Sequence, residues 1–549
     1  MASIASKGVR LSLLTLASRI LGLLREMTKA SFLGTSALAD AFSVAFMIPN
    51  LFRRLFAENS ISVAFIPTFK AALESGDRNG DRNKAQELVS AVFTVVSFLT
   101  AVFVMLGIAF SGFIVPIFFT SHNTQTEIEA AQTLGEAVFL TRIMFPYLFF
   151  ISIAAFFQGI LNSVKIFSPS AFTPILLNIM IIASAYLLSG VCANPARAFS
   201  FGVLAGGFVQ AVFQLPFVLK TGFKPAVMPL IAAFKNPELK KVLLLVAPTI
   251  VGMAAYQLND IVSTALAGRS GQGIVSSLQY SLRLQELFLG VFAVSIGTVI
   301  LPDLAGFAKK ELWNEFNDML LVSIKIIALI TIPVTFFALL TGENIIILVY
   351  KSNRFTDESV SLTLRAFLFH ITGLFFIALN RIIPQAFYAR SNTALPTIAG
   401  LAGFAANIVL ALILVRSMQG GGIALALSLA GFVNTALLLF FLAKTDTSGG
   451  TQKNTKAAAS RIASQTLLYA AKLIVFSLAV SAVLFFVKDE IFTFSQKALA
   501  LLPIHNRFLS QGFPLLLCAI LYGTLEILLL VLTRDKIIML AAKKLLRKK

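Results

Sequence analysis

Thiol and metal chemistry have little to work with in this chain. Cys192 and Cys518 are its only cysteines, too few for a disulfide framework or a cysteine metal site. Its three histidines, His122, His370 and His505, lie far apart and show no metal-ligand spacing. Charge is scarce as well: Asp, Glu, Lys and Arg make up 13% of the residues, where a soluble domain carries about 25%. There is no Walker A loop, and no nucleophile elbow, HExxH pair or dinucleotide fingerprint stands in a credible context. These absences argue against a catalytic enzyme, and no cofactor is expected.

What the chain has in abundance is apolar length. It is 57% hydrophobic, with 52 Phe against a single Trp, and its mean hydropathy is +0.87. Apolar runs of about 20 residues mark membrane spans. They fall near 10–32, 37–66, 88–112, 134–160, 169–190, 198–219 and 242–266, then 275–301, 318–340, 362–388, 394–415, 421–443, 465–487 and 512–533. The expected fold is therefore an all-α polytopic membrane protein of about fourteen helices. The first run follows Lys7 and Arg10 without a small-residue cleavage site, so it reads as a retained span rather than a signal peptide.

A formal net charge of +20 would suit nucleic acid, but much of the excess lies in short segments between apolar runs and in the tail AAKKLLRKK. That distribution fits the positive-inside rule and anionic lipid, and no nucleic-acid partner is expected. Lys70, Arg78, Arg82, Lys84, Lys220, Lys224, Lys235, Lys240, Lys241, Lys309 and Lys310 fall on one side with both termini, whereas the 113–133 loop carries no Lys or Arg. The cationic side is expected to be cytoplasmic.

The chain also repeats itself. QGILNSVKIFSPSAF from Gln158 lies over QAFYARSNTALPTIA from Gln385 at an offset of 227, bringing Pro169 onto Pro396. SISVAFIPTF from Ser60 lies over SIGTVILPDL from Ser295 at an offset of 235. Two similar offsets imply two six-span copies in one orientation, related by an axis along the membrane normal. The expected organisation is a first lobe over 1–220, a second over 221–443, a polar linker over 444–464, and two added spans with a basic tail over 465–549.

The stretch from Arg19 to Glu58 breaks the apolar pattern most. Charges inside membrane-length segments are costly and face a bundle interior or a water-filled cavity. Arg19 and Arg25 lie about 120° apart around a helix, so both can edge one cavity. Adjacent Arg53 and Arg54 cannot share a face, so one of them enters it. At an offset of 235 Asn50 falls on Gln285, which puts Arg283 near the level of Arg53. Guanidinium groups hold phosphates bidentately, so a diphosphate could engage several. Glu26, Asp40, Glu58 and Glu286 are the candidate ion-pair or gating acids. Glu26 is expected to point away from Arg25, and Asp40 to pair with an arginine at the outer mouth or with Lys29. Asp260 and Asn259, near Gln257 and Ser263, offer oxygens suited to a small hard cation. Arg142, Lys325, Arg381, His370, Lys472 and Glu526 read mainly as helix-end or packing residues.

SRILGLLRE (Ser18–Glu26), ADAFSVAFMIPNLFRRLFAE (Ala39–Glu58), FIP (Phe65–Pro67), FPY (Phe145–Tyr147), GILNS (Gly159–Ser163), TPILLN (Thr173–Asn178) and GTVILP (Gly297–Pro302) resemble the MurJ (MviN) family. These are lipid II flippases of the multidrug/oligosaccharidyl-lipid/polysaccharide exporter superfamily, and the likeness runs the length of the chain. It implies two six-helix lobes, a central cationic cavity, and a lateral groove for the polyprenyl tail formed by the last two helices. The family's cavity arginines match Arg19, Arg25, Arg53 and Arg283, and its span-2 acid matches Asp40. Glu26 stands where Asp is common, and Leu282 replaces an acid found in some members, leaving Glu286 available. The implied activity is movement of lipid II to the outer leaflet of the bacterial inner membrane by alternating access. Its drive would be a membrane potential or a monovalent ion, with the cell-wall synthesis machinery as functional partner. The rival readings are a carrier of another polyprenyl-diphosphate-linked saccharide, a drug or cation exporter of the same superfamily, and a non-transporting scaffold.

Overall fold

The computed structural model describes residues 2–55, 60–79, 82–119, 127–444, 452–500 and 506–539. Glu58, residues 445–451 in the first part of the polar linker and the basic tail from 540 onward lie outside them. Among the described residues every regular element is helical. The helices are α1 (Ala2–Leu33), α2 (Ala37–Arg53), α3 (Ser60–Asn79), α4 (Asn83–Ile114), α5 (Glu127–Met144) and α6 (Tyr147–Ser163). They continue with α7 (Ser168–Leu188), α8 (Pro195–Lys220), α9 (Leu230–Lys235), α10 (Pro237–Gly268), α11 (Ile274–Lys309) and α12 (Trp313–Tyr350). The last six are α13 (Asp357–Thr372), α14 (Leu374–Tyr388), α15 (Ala394–Met418), α16 (Gly420–Lys444), α17 (Gln452–Ala500) and α18 (Arg507–Leu532).

The fold is an all-α polytopic membrane protein. Among the described residues nine spans are long and apolar enough to cross a bilayer, or ten if the bent pair Asp357–Thr372 and Leu374–Tyr388 counts as one. These ten cover ten of the fourteen expected runs. The other four runs, 10–32, 37–66, 242–266 and 275–301, fall on α1, on α2 and α3, on α10 and on α11. Those helices carry Arg19, Arg25, Glu26, Lys29, Asp40, Arg53, Asp260, Arg283 and Glu286.

The chain forms two compact units, Met1–Ser276 with Ser352–Phe355, and Ser277–Lys351 with Thr356–Lys549. This division differs from a cut at 220 because α10 packs against α3 of the first unit. The first unit has a phenylalanine-rich core in which Phe65 and Phe69 stack at 5.0 Å and Phe156 meets Phe65 edge-on at 5.2 Å. Aromatic pairs in these geometries add to plain area burial. Helices α7 and α8 form a closely packed pair there, and α15 and α16 form another in the second unit. Helix α17 begins at Gln452, so more than half of the expected 444–464 linker is helical. It lies with α18 against α12, where Val480, Leu484, Leu515 and Cys518 are buried together.

Candidate functional site

The arginine-rich stretch turns tightly near its middle. Gly34 adopts φ +60°, a conformation that favours glycine, and a side chain there would overlap the carbonyl of Arg354. Ser36 then caps α2, its hydroxyl accepting from the Ala39 N–H at 3.3 Å.

On α1, Arg25 donates to Glu26 Oε1 at 2.6 Å and to Asn178 Oδ1 of α7 at 3.2 Å. The second Glu26 oxygen lies 3.2 Å from Lys29 Nζ. Asn178 also donates to the Ser18 carbonyl at 3.3 Å. Glu26 therefore does not point away from Arg25: the long guanidinium stem folds back to its neighbour, and the carboxylate bridges two cations. Such bridging lowers the cost of holding a mostly buried Lys29, whose side chain is 6% exposed. Arg19 is half-buried on the same helix and has no carboxylate partner among the described residues.

Asp40 meets its expectation in part: it is electrostatically coupled to Lys29, while its hydrogen bonds go to backbone amides. It is 3% exposed; its Oδ2 accepts from the Gly273 N–H at 2.6 Å and its Oδ1 from the Ser276 N–H at 2.8 Å. The partner is the first turn of α11, not an arginine. Free N–H groups and the positive end of the helix dipole add to the attraction of the Lys29 ammonium. Both bonds lie inside the first unit.

The adjacent arginines separate as their spacing requires. Arg53 Nε donates to Asn50 Oδ1 at 2.8 Å, one turn back on α2. Arg54 Nη1 reaches Asp260 Oδ2 of α10 at 2.9 Å, with both side chains more than a third exposed. Asp260 thus has a guanidinium on one oxygen, and a cation there would compete with Arg54. Asn259 beside it is buried. In the second unit Arg283 pairs with Glu286 at 3.1 Å, one turn apart on α11.

Sequence reasoning missed Asn178, the pairing of Arg54 with Asp260, and the backbone amides at Gly273 and Ser276. An asparagine in the apolar run of α7 was a readable signal, whereas Arg54 and Asp260 lie too far apart in sequence to be paired by spacing. Amides exposed at a helix start carry no side-chain signature.

The comparisons with known proteins follow this geometry. Residues 29–495 match the model of the family described as "Lipid II flippase MurJ". A Treponema pallidum protein named a probable lipid II flippase MurJ is 43% identical over 536 residues, covering 97% of each chain. The lipid II flippase MurJ of Burkholderia cenocepacia is 32% identical over 431 residues, covering 78% of this chain and 82% of its own. A solved structure of lipid II flippase MurJ in an inward closed conformation superposes with a TM-score of 0.74 at 25% identity, covering 96% of this chain and all of that one. An inward-facing multidrug resistance transporter of the MOP superfamily shares the fold alone, with a TM-score of 0.61 at 12% identity over 81% of this chain and 96% of its own. This chain therefore belongs to the lipid II flippase MurJ family.

Proposed function

We propose that this protein moves lipid II from the cytoplasmic to the outer leaflet of the bacterial inner membrane by alternating access, with both termini cytoplasmic. The observation that carries the reading is the set of arginines on membrane-embedded helices in a chain of this family. The headgroup of a polyprenyl-diphosphate lipid cannot cross hydrocarbon unaided without stranding its charges and many polar groups. Arg19, Arg25, Arg53 and Arg283 are assigned to the diphosphate, which bidentate guanidinium contacts suit. Arg25 is preoriented for this by Glu26 and Asn178. The polyprenyl tail stays in lipid or against α17 and α18. Asp40 acts as a latch, since opening that end of α2 away from the start of α11 exposes Gly273 and Ser276 N–H groups.

The drive is a membrane potential or a monovalent ion gradient. An ion taken up at Asp260 and Asn259 would release Arg54, which couples ion binding to the position of α2. Lipid II delivered outside feeds the cell-wall synthesis machinery.

The test is complementation of a bacterial strain depleted of its own lipid II flippase, with the wild-type protein and with Arg25→Ala, Arg283→Ala and Asp40→Asn at matched membrane levels. Rescue by wild type and failure of the arginine variants supports the reading. Normal growth with Arg283→Ala removes that residue from the diphosphate site. Failure of well-inserted wild type moves the assignment to another lipid-linked saccharide.

A further inference from the structure

Within the second unit, the turn joining α11 to α12 and the turn joining α14 to α15 enclose an open cleft of about 530 Å³. Ala305, Ala308, Lys309, Trp313, Arg390 and Ser391 line it. Both turns close in the same way. Leu312 N–H donates to the Phe307 carbonyl at 3.0 Å around Glu311 at φ +57°, and Asn392 N–H donates to the Phe387 carbonyl at 3.0 Å around Ser391 at φ +57°. Doubly closed turns of this kind are rigid helix endings, so the cleft is preformed.

Its chemistry is cationic and donor-rich. The Arg390 guanidinium lies 5.6 Å from the centre of the Trp313 ring, and the ring rests edge-on against buried Phe316 at 5.8 Å. Lys309 has no carboxylate partner among the described residues, and the nearby acids Glu311 and Glu315 are exposed and do not line the cleft. Trp313 Nε1 is buried and finds no acceptor among the described residues. A buried N–H without an acceptor costs free energy comparable to a lost hydrogen bond, and an anionic oxygen would restore it. The cleft lies where the spans Trp313–Tyr350 and Ala394–Met418 begin, the level of the lipid headgroups. Tyr388, Ile398 and Leu401 on the flanking helices are exposed apolar surface for acyl chains.

We propose that the cleft between Lys309, Trp313 and Arg390 binds the phosphate group of an anionic phospholipid. The retaining chemistry is two cations and an indole N–H around one phosphate, with tails lying along α14 and α15. This site is separate from the diphosphate arginines and does not depend on which lipid is flipped.

The chain has one tryptophan, so its fluorescence reports on this cleft alone. The protein is placed in phosphatidylcholine nanodiscs containing the same minor fraction of either brominated phosphatidylglycerol or brominated phosphatidylcholine, bromine being a short-range quencher. Phosphatidylglycerol is expected to quench several-fold more. Lys309→Gln and Arg390→Gln should each reduce that preference about fivefold, the effect of one cation near an anionic surface. Lys309→Arg and Arg390→Lys should keep it, which separates loss of charge from loss of folding. Equal quenching by the two lipids overturns the proposal, as does a preference that survives in the double glutamine variant. Inorganic phosphate is added as a competitor; if it relieves the quenching at concentrations matching the lipid, the site is one for soluble phosphate and the lipid assignment falls.

Discussion

The two copies of the repeat interrupt the same span at the same place with different chemistry. At an offset of 227, Pro146 falls on Gly373. In the first copy the break separates α5 from α6 at Phe145 and Pro146, yet Ile128–Ser163 still runs on as one span of 36 residues. Proline lacks an N–H, so the interruption is written into the covalent structure. In the second copy the break separates α13 from α14 at Gly373 and the helix bends by 43°. No proline is present there, and the bend is held by neighbours instead. Ser428 donates to the Phe369 carbonyl at 2.6 Å, Gln285 donates to the His370 carbonyl, and Thr335 donates to the Ile371 carbonyl at 3.3 Å. Carbonyls freed inside a membrane need such donors. His370, read from sequence as a packing residue, is buried here with its ring 2.6 Å from the Ser281 hydroxyl. The first break is thus local, and the second is tertiary.

That contrast is open to direct tests by thermal unfolding of the purified protein. The largest effect is expected from Gly373→Leu. A Cβ at Gly373 would already lie 2.7 Å from Ser428 Cβ and 2.8 Å from Ser428 Cα, so the substitution should cost about 3 kcal/mol as α16 is forced away. A variant as stable as wild type would show that α16 does not clamp the bend. Gln285→Leu comes next, at about 1.5 kcal/mol, because the buried His370 carbonyl loses its shortest donor and keeps only the Gly373 N–H at 3.2 Å and the Ser428 hydroxyl at 3.4 Å. An unchanged midpoint would mean the His370 carbonyl is satisfied in another way. Ser428→Ala removes a smaller donor and should cost about 1 kcal/mol. Pro146→Ala should change stability by less than about 1 kcal/mol, since no tertiary clamp depends on the ring. A loss as large as that of Gly373→Leu would erase the distinction between the two breaks.

A second comparison concerns sign. Carried back along the chain, the offset of 235 places Arg25 on Asp260. The first is bonded to a carboxylate and an amide, the second to a guanidinium. Each copy keeps a charge at this helix position; Arg25 is neutralised by its own neighbour, and Asp260 by an arginine of the first copy.

Membrane insertion and helical class were legible because a bilayer requires long apolar runs and internally satisfied backbones, and both requirements are local in sequence. Ten runs appear as clear spans among the described residues, and the other four fall on helices that carry the charged candidate residues. The same excess of buried charge made Arg19, Arg25, Asp40, Arg53, Asp260 and Arg283 stand out. Their partners did not. Asp40 ends on amides more than 230 residues away, and Arg54 meets Asp260 across 206 residues. Composition and periodicity report what a residue costs to bury, and by themselves they determined the class of the protein and which positions need compensation. Which group provides that compensation depends on helices brought together from distant parts of the chain, and only the tertiary structure decided it.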